Sequence, residues 1–372
     1  MKQTYSIAPK PHYPLLDGLR GVASLIVIWY HIFEGFATSP IDQSINHGYL
    51  AVDFFFLLSG FVIGYAYDDR WQGRLTTAGF FKRRLIRLHP MLVLGAVLGA
   101  ITFCIQGSQT WTHERVALSM VMLALLMNLF MIPNAPGAGT EVRGNGEMFP
   151  LNGPTWSLFF EYVANILYAT LLRRLSTKVL ATITLASGAL LIFYSVGNYS
   201  GYGNMGVGWT LAGYNLPGGI LRMLFPFTCG LLMARVFRPV KVRGAFWICS
   251  LALVALLATP HLGQSRLWLN GLYDGLCITL VFPLIVWLGA SGIATDKGTQ
   301  SVCRFAGNIS YPVYIVHYPF MYLYYAWVWD NHLTFASTWP IALLLFFGNI
   351  ALAYAALKIY DEPLRKWLAK KF

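Results

Sequence analysis

The sequence predicts an all-α, polytopic integral membrane protein, with about ten transmembrane helices and one further segment that is re-entrant or surface-lying. Composition is the first observation behind this. The chain is 56% hydrophobic and 11% charged, with mean hydropathy +0.55, whereas soluble domains carry roughly 25% charged residues. Second, its apolar runs approach the ~20 residues that a helix needs to span a bilayer. They do not alternate with the period of two that barrel strands require. Third, basic residues gather between the runs, as they do in cytoplasmic loops.

The first run, 15–36, follows polar residues 1–14. It is long, holds Asp17 and Arg20, and lacks a small-residue cleavage site. It therefore reads as a retained span and not a signal peptide. Ten more candidates follow: 48–67, 90–106, 116–132, 155–172, 179–196, 218–237, 244–259, 275–293, 305–329 and 338–359. Lys2 and Lys10 open the chain. Arg70, Arg74, Lys82, Arg83, Arg84 and Arg87 lie between the second and third runs. Arg173, Arg174 and Lys178 follow 155–172, and Arg238, Lys241 and Arg243 follow 218–237. Lys297 and Arg304 precede or open 305–329. Lys358, Arg365, Lys366, Lys370 and Lys371 close the chain.

All of these charges are assigned to the cytoplasm. Residues 87 and 173 then lie on one side, with 90–106, 116–132 and 155–172 between them. An even number of crossings is required, so one of the three does not cross. The choice falls on 116–132, which is short and precedes the Gly/Pro/Asn-rich loop 133–154. A loop of that length is more often functional than idle. The expectation is a multi-pass protein of the cell membrane, in bacteria the inner membrane, with both termini cytoplasmic. One domain would cover 11–365, between tails 1–10 and 366–372.

The net charge of +12 raises nucleic acid as a partner. The basic residues form no soluble patch, so that partner is set aside. Cys104, Cys229, Cys249, Cys277 and Cys303 form no C-x-x-C pair. They make neither a disulfide framework nor a zinc site, and no metal is expected. There is no H-E-x-x-H, no G-x-S-x-G and no P-loop, which argues against a metalloprotease, a serine esterase and an ATP-driven pump.

Charged groups inside apolar runs are costly and mark function by default. Arg20 and His31 are eleven residues apart. On a helix they share one face to within about 20°, with a rise of ~16 Å. The bland alternative is a snorkelling arginine and a satisfied core histidine. Neutral imidazole acts as a general base near pH 7. Glu34, three residues on, either orients His31 or lies at the outer interface. Asp53, about as deep as His31, is a carboxylate able to hold its tautomer, as in hydrolase triads; the alternative is a helix-start acid. Glu161 reaches the same depth only if 155–172 enters from outside. Arg84 and Arg87 share a face and suit phosphate, or are plain topology signals. Tyr311, Tyr314 and His317 share a helical face, as an acceptor pocket or as aromatic packing.

Taken in order, Leu-Asp-Gly-Leu-Arg-Gly21, Tyr30-His31, Val-Asp-Phe-Phe-Phe-Leu-Leu-Ser-Gly-Phe61, Arg-Leu-Ile-Arg87, Trp-Ser-Leu-Phe-Phe-Glu161 and Ile-Ser-Tyr-Pro-Val-Tyr314 resemble the membrane-bound acyltransferase 3 family. The match runs from about residue 13 to 365. The resemblance implies transfer of acyl groups, usually acetyl, from cytoplasmic acyl-CoA to carbohydrate hydroxyls, and in some members to other acceptors. It carries the family's essential histidine onto His31 and its conserved arginines onto Arg20, Arg84 and Arg87. Glu34 stands outside the family's general pattern. Some members have an added extracytoplasmic esterase-like domain, which is not expected here.

The resulting reading is an O-acyltransferase that modifies a polysaccharide or glycolipid, with acyl-CoA, most often acetyl-CoA, as donor and no metal. Arg20, Arg84 and Arg87 would hold the CoA phosphates. His31, supported by Asp53 or Glu161, would deprotonate the acceptor. Trp156, Tyr311, Tyr314 and His317 would bind that acceptor. Direct transfer and a relay through acyl-histidine both remain open. The rival reading is a transporter whose buried charges form a proton or substrate relay. It predicts paired broken helices in two similar halves, which the sequence does not display.

Overall fold

The computed structural model describes residues 12–38, 41–43, 47–71 and 75–372. Lys2, Lys10 and Arg74, assigned above to the cytoplasm, lie outside them. Thirteen α-helices are described. Helix α1 spans Pro14–Glu34, α2 Ala51–Tyr67, α3 Thr77–Ile105, α4 Leu118–Leu129, α5 Thr155–Thr170, α6 Thr177–Val196 and α7 Asn215–Val236. Helix α8 spans Ala245–Leu257, α9 Leu267–Leu276, α10 Phe282–Ser291, α11 Lys297–Asp330, α12 Phe335–Ala355 and α13 Glu362–Lys371. Among the described residues the only sheet pairs Val242–Arg243 with Gly292–Ile293. The expected all-α, multi-pass membrane architecture is present.

Local chemistry sets several helix starts. Pro14 occupies the first turn of α1, where its missing N–H is no loss. The side chains of Thr76, Ser176 and Asp296 accept from the backbone N–H groups of Gly79, Val179 and Thr299, which satisfies an orphan donor at each N-terminus. The Thr76 cap starts α3 well before the expected 90–106. Arg83, Arg84 and Arg87 are therefore helical residues and not part of a loop.

Seven described helical segments are long and apolar enough to cross a membrane: Pro14–Glu34, Gly48–Tyr67, Thr77–Ile105, Thr177–Val196, Asn215–Val236, Gln264–Ser291 and Phe335–Lys371. Eleven runs were candidates and ten were expected to cross, with 116–132 set aside; that run and three more are absent from the seven, for a physical reason. The runs 116–132, 155–172 and 244–259 become helices of 12, 16 and 13 residues. At 1.5 Å per residue these are about 18 to 24 Å long, short of a ~30 Å hydrocarbon core. Run 305–329 lies within the 34-residue α11. Its bulk comes largely from tyrosine, and much of it is buried in protein.

Two pairs of parallel helices organise the core. On α1 and α11, Gly18 meets Cys303, Gly21 meets Ala306 and Gly35 meets Tyr325, so contacts advance along both helices together. On α2 and α7, Gly60 meets Phe227, Gly64 meets Ala234 and Gly230 meets Leu57. Small residues let membrane helices approach closely and gain dispersion contact. A Cβ on Gly60 would sit 2.1 Å from the Phe227 carbonyl oxygen, which backbone cannot yield cheaply. Gly60→Ala is expected to cost about 1–3 kcal/mol by overpacking, seen as a lower Tm of the detergent-solubilised protein. Gly348→Ala on α12, where nothing lies within 4 Å of the new methyl, is expected to leave Tm unchanged. Equal Tm values for the two variants would count against this packing.

Candidate active site

Because α1 is continuous, Arg20 and His31 do share a face, and that face meets α11. Arg20 donates from Nε to Ser310 Oγ at 2.8 Å, and its Nη2 lies 3.2 Å from Asp17 Oδ1. Eleven residues on, His31 packs against the rings of His317 and Tyr318, with centroids 5.3 and 4.6 Å away. The two residues open into different cavities.

The His31 cavity has a volume of about 350 Å³. Its wall includes Trp111, Trp156, Trp209 and Trp329, and the tyrosines 30, 49, 202, 314, 318, 322 and 325. His31 Nδ1 is 2.7 Å from Glu34 Oε2. Toward a carboxylate, which only accepts, Nδ1 is the donor of this bond, and in a neutral ring that leaves the lone pair on Nε2. The Tyr325 hydroxyl lies 2.6 Å from the His31 carbonyl oxygen and 3.0 Å from Glu34 Oε2. It ties the last turn of α1 to α11. Glu34 therefore holds the position beside His31 that was expected of Asp53 or Glu161.

Asp53 is instead paired with Arg222, which itself lines the His31 cavity. Its carboxylate takes a two-pronged ion pair from Arg222 on α7, with Nη2–Oδ2 at 2.6 Å and Nε–Oδ1 at 3.2 Å. Arg222 also donates to the carbonyl oxygens of Tyr49 and Val207, each at 2.7 Å. Both side chains are essentially buried, at 1% and 0% exposure. A buried charge without its partner costs several kcal/mol, so this pair locks α2, α7 and the segment around Val207 together.

Glu161 is also engaged elsewhere. It accepts from Arg84 Nη2 at 2.5 Å and from Ser59 Oγ at 3.2 Å. These residues line a second cavity of about 100 Å³, with Arg20, Arg87, Ser310 and Tyr311. Arg84 is buried, whereas Arg87 is exposed and has no carboxylate partner among the described residues. The three expected arginines thus converge on one cavity. Of the expected acceptor residues, Trp156 lines the His31 cavity, Tyr311 the arginine cavity and Tyr314 both. His317 is buried behind His31, with Nδ1 3.0 Å from the Val313 carbonyl oxygen.

The sequence reading missed several residues. Tyr318, Tyr322, Tyr325 and Trp329 continue the Tyr311–Tyr314 face at helical spacing, a signal that was available. Pro319 within α11 lacks an N–H, which leaves the Ile315 carbonyl without its helical donor. Asn152 Nδ2 takes that role at 2.9 Å and fastens the loop 133–154 to α11. The same loop delivers Glu147 to the cavity wall, where it accepts from the Tyr322 hydroxyl and from Asn145 Nδ2. Burial pushes the Glu147 carboxyl up to about 7. Arg143, wholly buried, lies over the Tyr322 ring at 3.4 Å. Among the described residues no group of three or more His, Cys, Asp or Glu side chains is arranged to hold a metal.

A family model described as an acyltransferase domain matches residues 13–358. The acyltransferase MdmB of Streptomyces mycarofaciens is 26% identical over 374 residues, covering 93% of this chain and 87% of that one. Protein 2 in the picA locus of Rhizobium radiobacter is 35% identical over 194 residues, 50% of this chain and 96% of its own. A Staphylococcus aureus protein, named provisionally as an O-acetyltransferase, is 24% identical over 383 residues, 95% of this chain and 58% of its own. No solved structure matches. With nearly its whole length matched, the chain belongs to the acyltransferase 3 family of membrane transferases.

Proposed function

We propose that the protein transfers an acyl group, most often acetyl, from cytoplasmic acyl-CoA to a hydroxyl of a carbohydrate or glycolipid on the far side of a bacterial inner membrane, with both termini in the cytoplasm. One observation carries this reading. A single helix, α1, presents Arg20 to a cavity holding two more arginines and His31 to an aromatic cavity. Eleven residues separate the two, about 16 Å of rise. A phosphopantetheine arm is of the right length to connect a phosphate site to a thioester that far away.

The chemistry follows from the side chains. Arg87 and Arg20, with Arg84, hold phosphate oxygens of the donor by charge-assisted hydrogen bonds. The arginine cavity is far smaller than a nucleotide, so the adenosine part stays outside it. In the His31 cavity, Nε2 takes the proton of the acceptor hydroxyl, while Glu34 on Nδ1 stabilises the imidazolium that forms. The hydroxyl oxygen attacks the thioester carbonyl. A C–O bond forms, the C–S bond breaks, and the imidazolium returns its proton to the departing thiolate of CoA. Aromatic walls suit the apolar faces of sugar rings. Trp156 and Tyr314 supply part of that surface, and His317 backs the His31 ring.

Transfer of radiolabel from acetyl-CoA into alkali-labile esters, in membranes containing the full chain, tests the reading. His31→Ala is expected to reduce it by about 10²- to 10⁴-fold, with acyl-CoA binding largely intact. His31→Gln keeps size and polarity but cannot take the proton, so it should be as inactive. Near-normal turnover by the glutamine variant would remove His31 from the chemistry.

Glu34→Gln is expected to forfeit part of the same factor in kcat and to shift the pH profile, with donor affinity unchanged. A Glu34→Gln enzyme with an unaltered profile would show that the carboxylate does not act through His31.

The arginines should separate by their partners. Arg87→Ala is expected to weaken acyl-CoA binding by about 10- to 100-fold without loss of thermal stability. Arg84→Ala should weaken binding and also lower Tm, because it strands Glu161. Unchanged donor affinity in both variants, measured by equilibrium binding, would return these residues to a purely structural role.

A further inference from the structure

The His31 cavity and the arginine cavity share two lining residues, Val52 and Tyr314. Among the described residues, one side chain from α2 and one from α11 are all that both cavities touch. If a thioester enters past the arginines and reacts beside His31, its acyl group must cross at this point. We propose that Val52 and Tyr314 form a partition, one side chain thick, whose bore decides which acyl chain the enzyme transfers. This rests on the acyltransfer reading above and goes beyond it by naming what selects the acyl group.

The two residues are held in different ways. Val52 precedes Asp53, whose two-pronged pair with Arg222 fixes this part of α2. A β-branched side chain in a helix also has one strongly preferred rotamer. Val52 is therefore a rigid edge. Tyr314 is the movable side. Its hydroxyl is 2.7 Å from Ser157 Oγ, which lines the arginine cavity, and 3.4 Å from the Pro154 carbonyl oxygen, which lines the His31 cavity. Its ring rests edge-on against Phe55, with centroids 5.6 Å apart. Both Val52 and Tyr314 are buried, at 7% exposure, so each is held closely by its neighbours.

An opening bounded by a rigid valine and a tethered tyrosine favours a short acyl chain. The pantetheine arm and any acyl group must displace the Tyr314 hydroxyl from Ser157 to pass, and each further methylene has to be drawn through that gap before the carbonyl reaches His31. A hydrophobic site discriminates about 10- to 200-fold for one methylene. The same geometry keeps water in the His31 cavity away from a thioester still in the arginine cavity.

The test uses membranes containing the full chain and compares labelled butyryl-CoA with acetyl-CoA as donors, scoring alkali-labile label. Val52→Ala widens the fixed edge and is expected to raise the butyryl-to-acetyl ratio by about tenfold or more. Val52→Leu narrows it and should lower the ratio. Tyr314→Phe keeps the ring but frees it from Ser157, and should raise the ratio less than Val52→Ala. Binding of each acyl-CoA, measured separately, should change far less than the transfer ratio, which a general packing defect would not produce. Ratios within twofold of the unsubstituted protein in both valine variants, with acetyl transfer still present, would overturn the partition alone. Absence of any acyl transfer by the unsubstituted protein would overturn the acyltransfer reading and the partition with it.

Discussion

The site depends on how closely α1 lies against α11. A Cβ on Gly21 would stand 2.3 Å from the Ala306 carbonyl oxygen, and one on Gly307 would stand 2.7 Å from the Asp17 Cβ. Only hydrogen fits at those two positions. The two backbones touch there, run parallel and keep step for the whole length of α1. That contact sets Arg20 opposite Ser310 and His31 opposite His317 and Tyr318. It also brings Tyr325 within reach of Glu34. A modest separation of the helices would break each of these contacts together. In hydrocarbon the polar groups left behind would have no water to turn to.

A second constraint is that charge within the bundle must be matched. Asp53 is answered by Arg222, Glu161 by Arg84, and Asp68 by Arg235 at 2.9 Å. Each of these ties helices that are distant in sequence. The pairing consumes residues that look reactive when considered singly. What remains less committed is informative. Arg87 stands exposed at one cavity, and His31 lines the other.

Much of this was legible in the sequence, for reasons that particular residues make clear. Helical periodicity alone puts Arg20 and His31 on one face, because eleven residues make just over three turns. It cannot say which carboxylate meets the imidazole. Depth along a helix can be estimated from sequence, but the direction a side chain points around the axis depends on the neighbours. Asp53 has the right depth and points at α7. Glu34 was within reach all along, three residues from His31, yet its position near a helix end fits an interface equally well. Arg222 satisfies the rule that singles out Glu161, a charge within an apolar run. Glu147 had no such signal, since a Gly-rich loop carries no period from which to infer a facing surface. The span count was harder to read. Hydropathy registers apolar length, whereas α5 and α8 end early and α11 is filled with tyrosine.

The shared wall of the two cavities also bears on the membrane that holds the protein. A bilayer stores ion and proton gradients only while no continuous wet path crosses it. This bundle carries polar side chains deep on both sides of a single valine–tyrosine layer. Water admitted to both cavities would be separated by the proposed partition alone, and part of the potential would fall across it. The layer's dryness thus becomes a matter of energy conservation for the whole cell, quite apart from the ester bond made beside it.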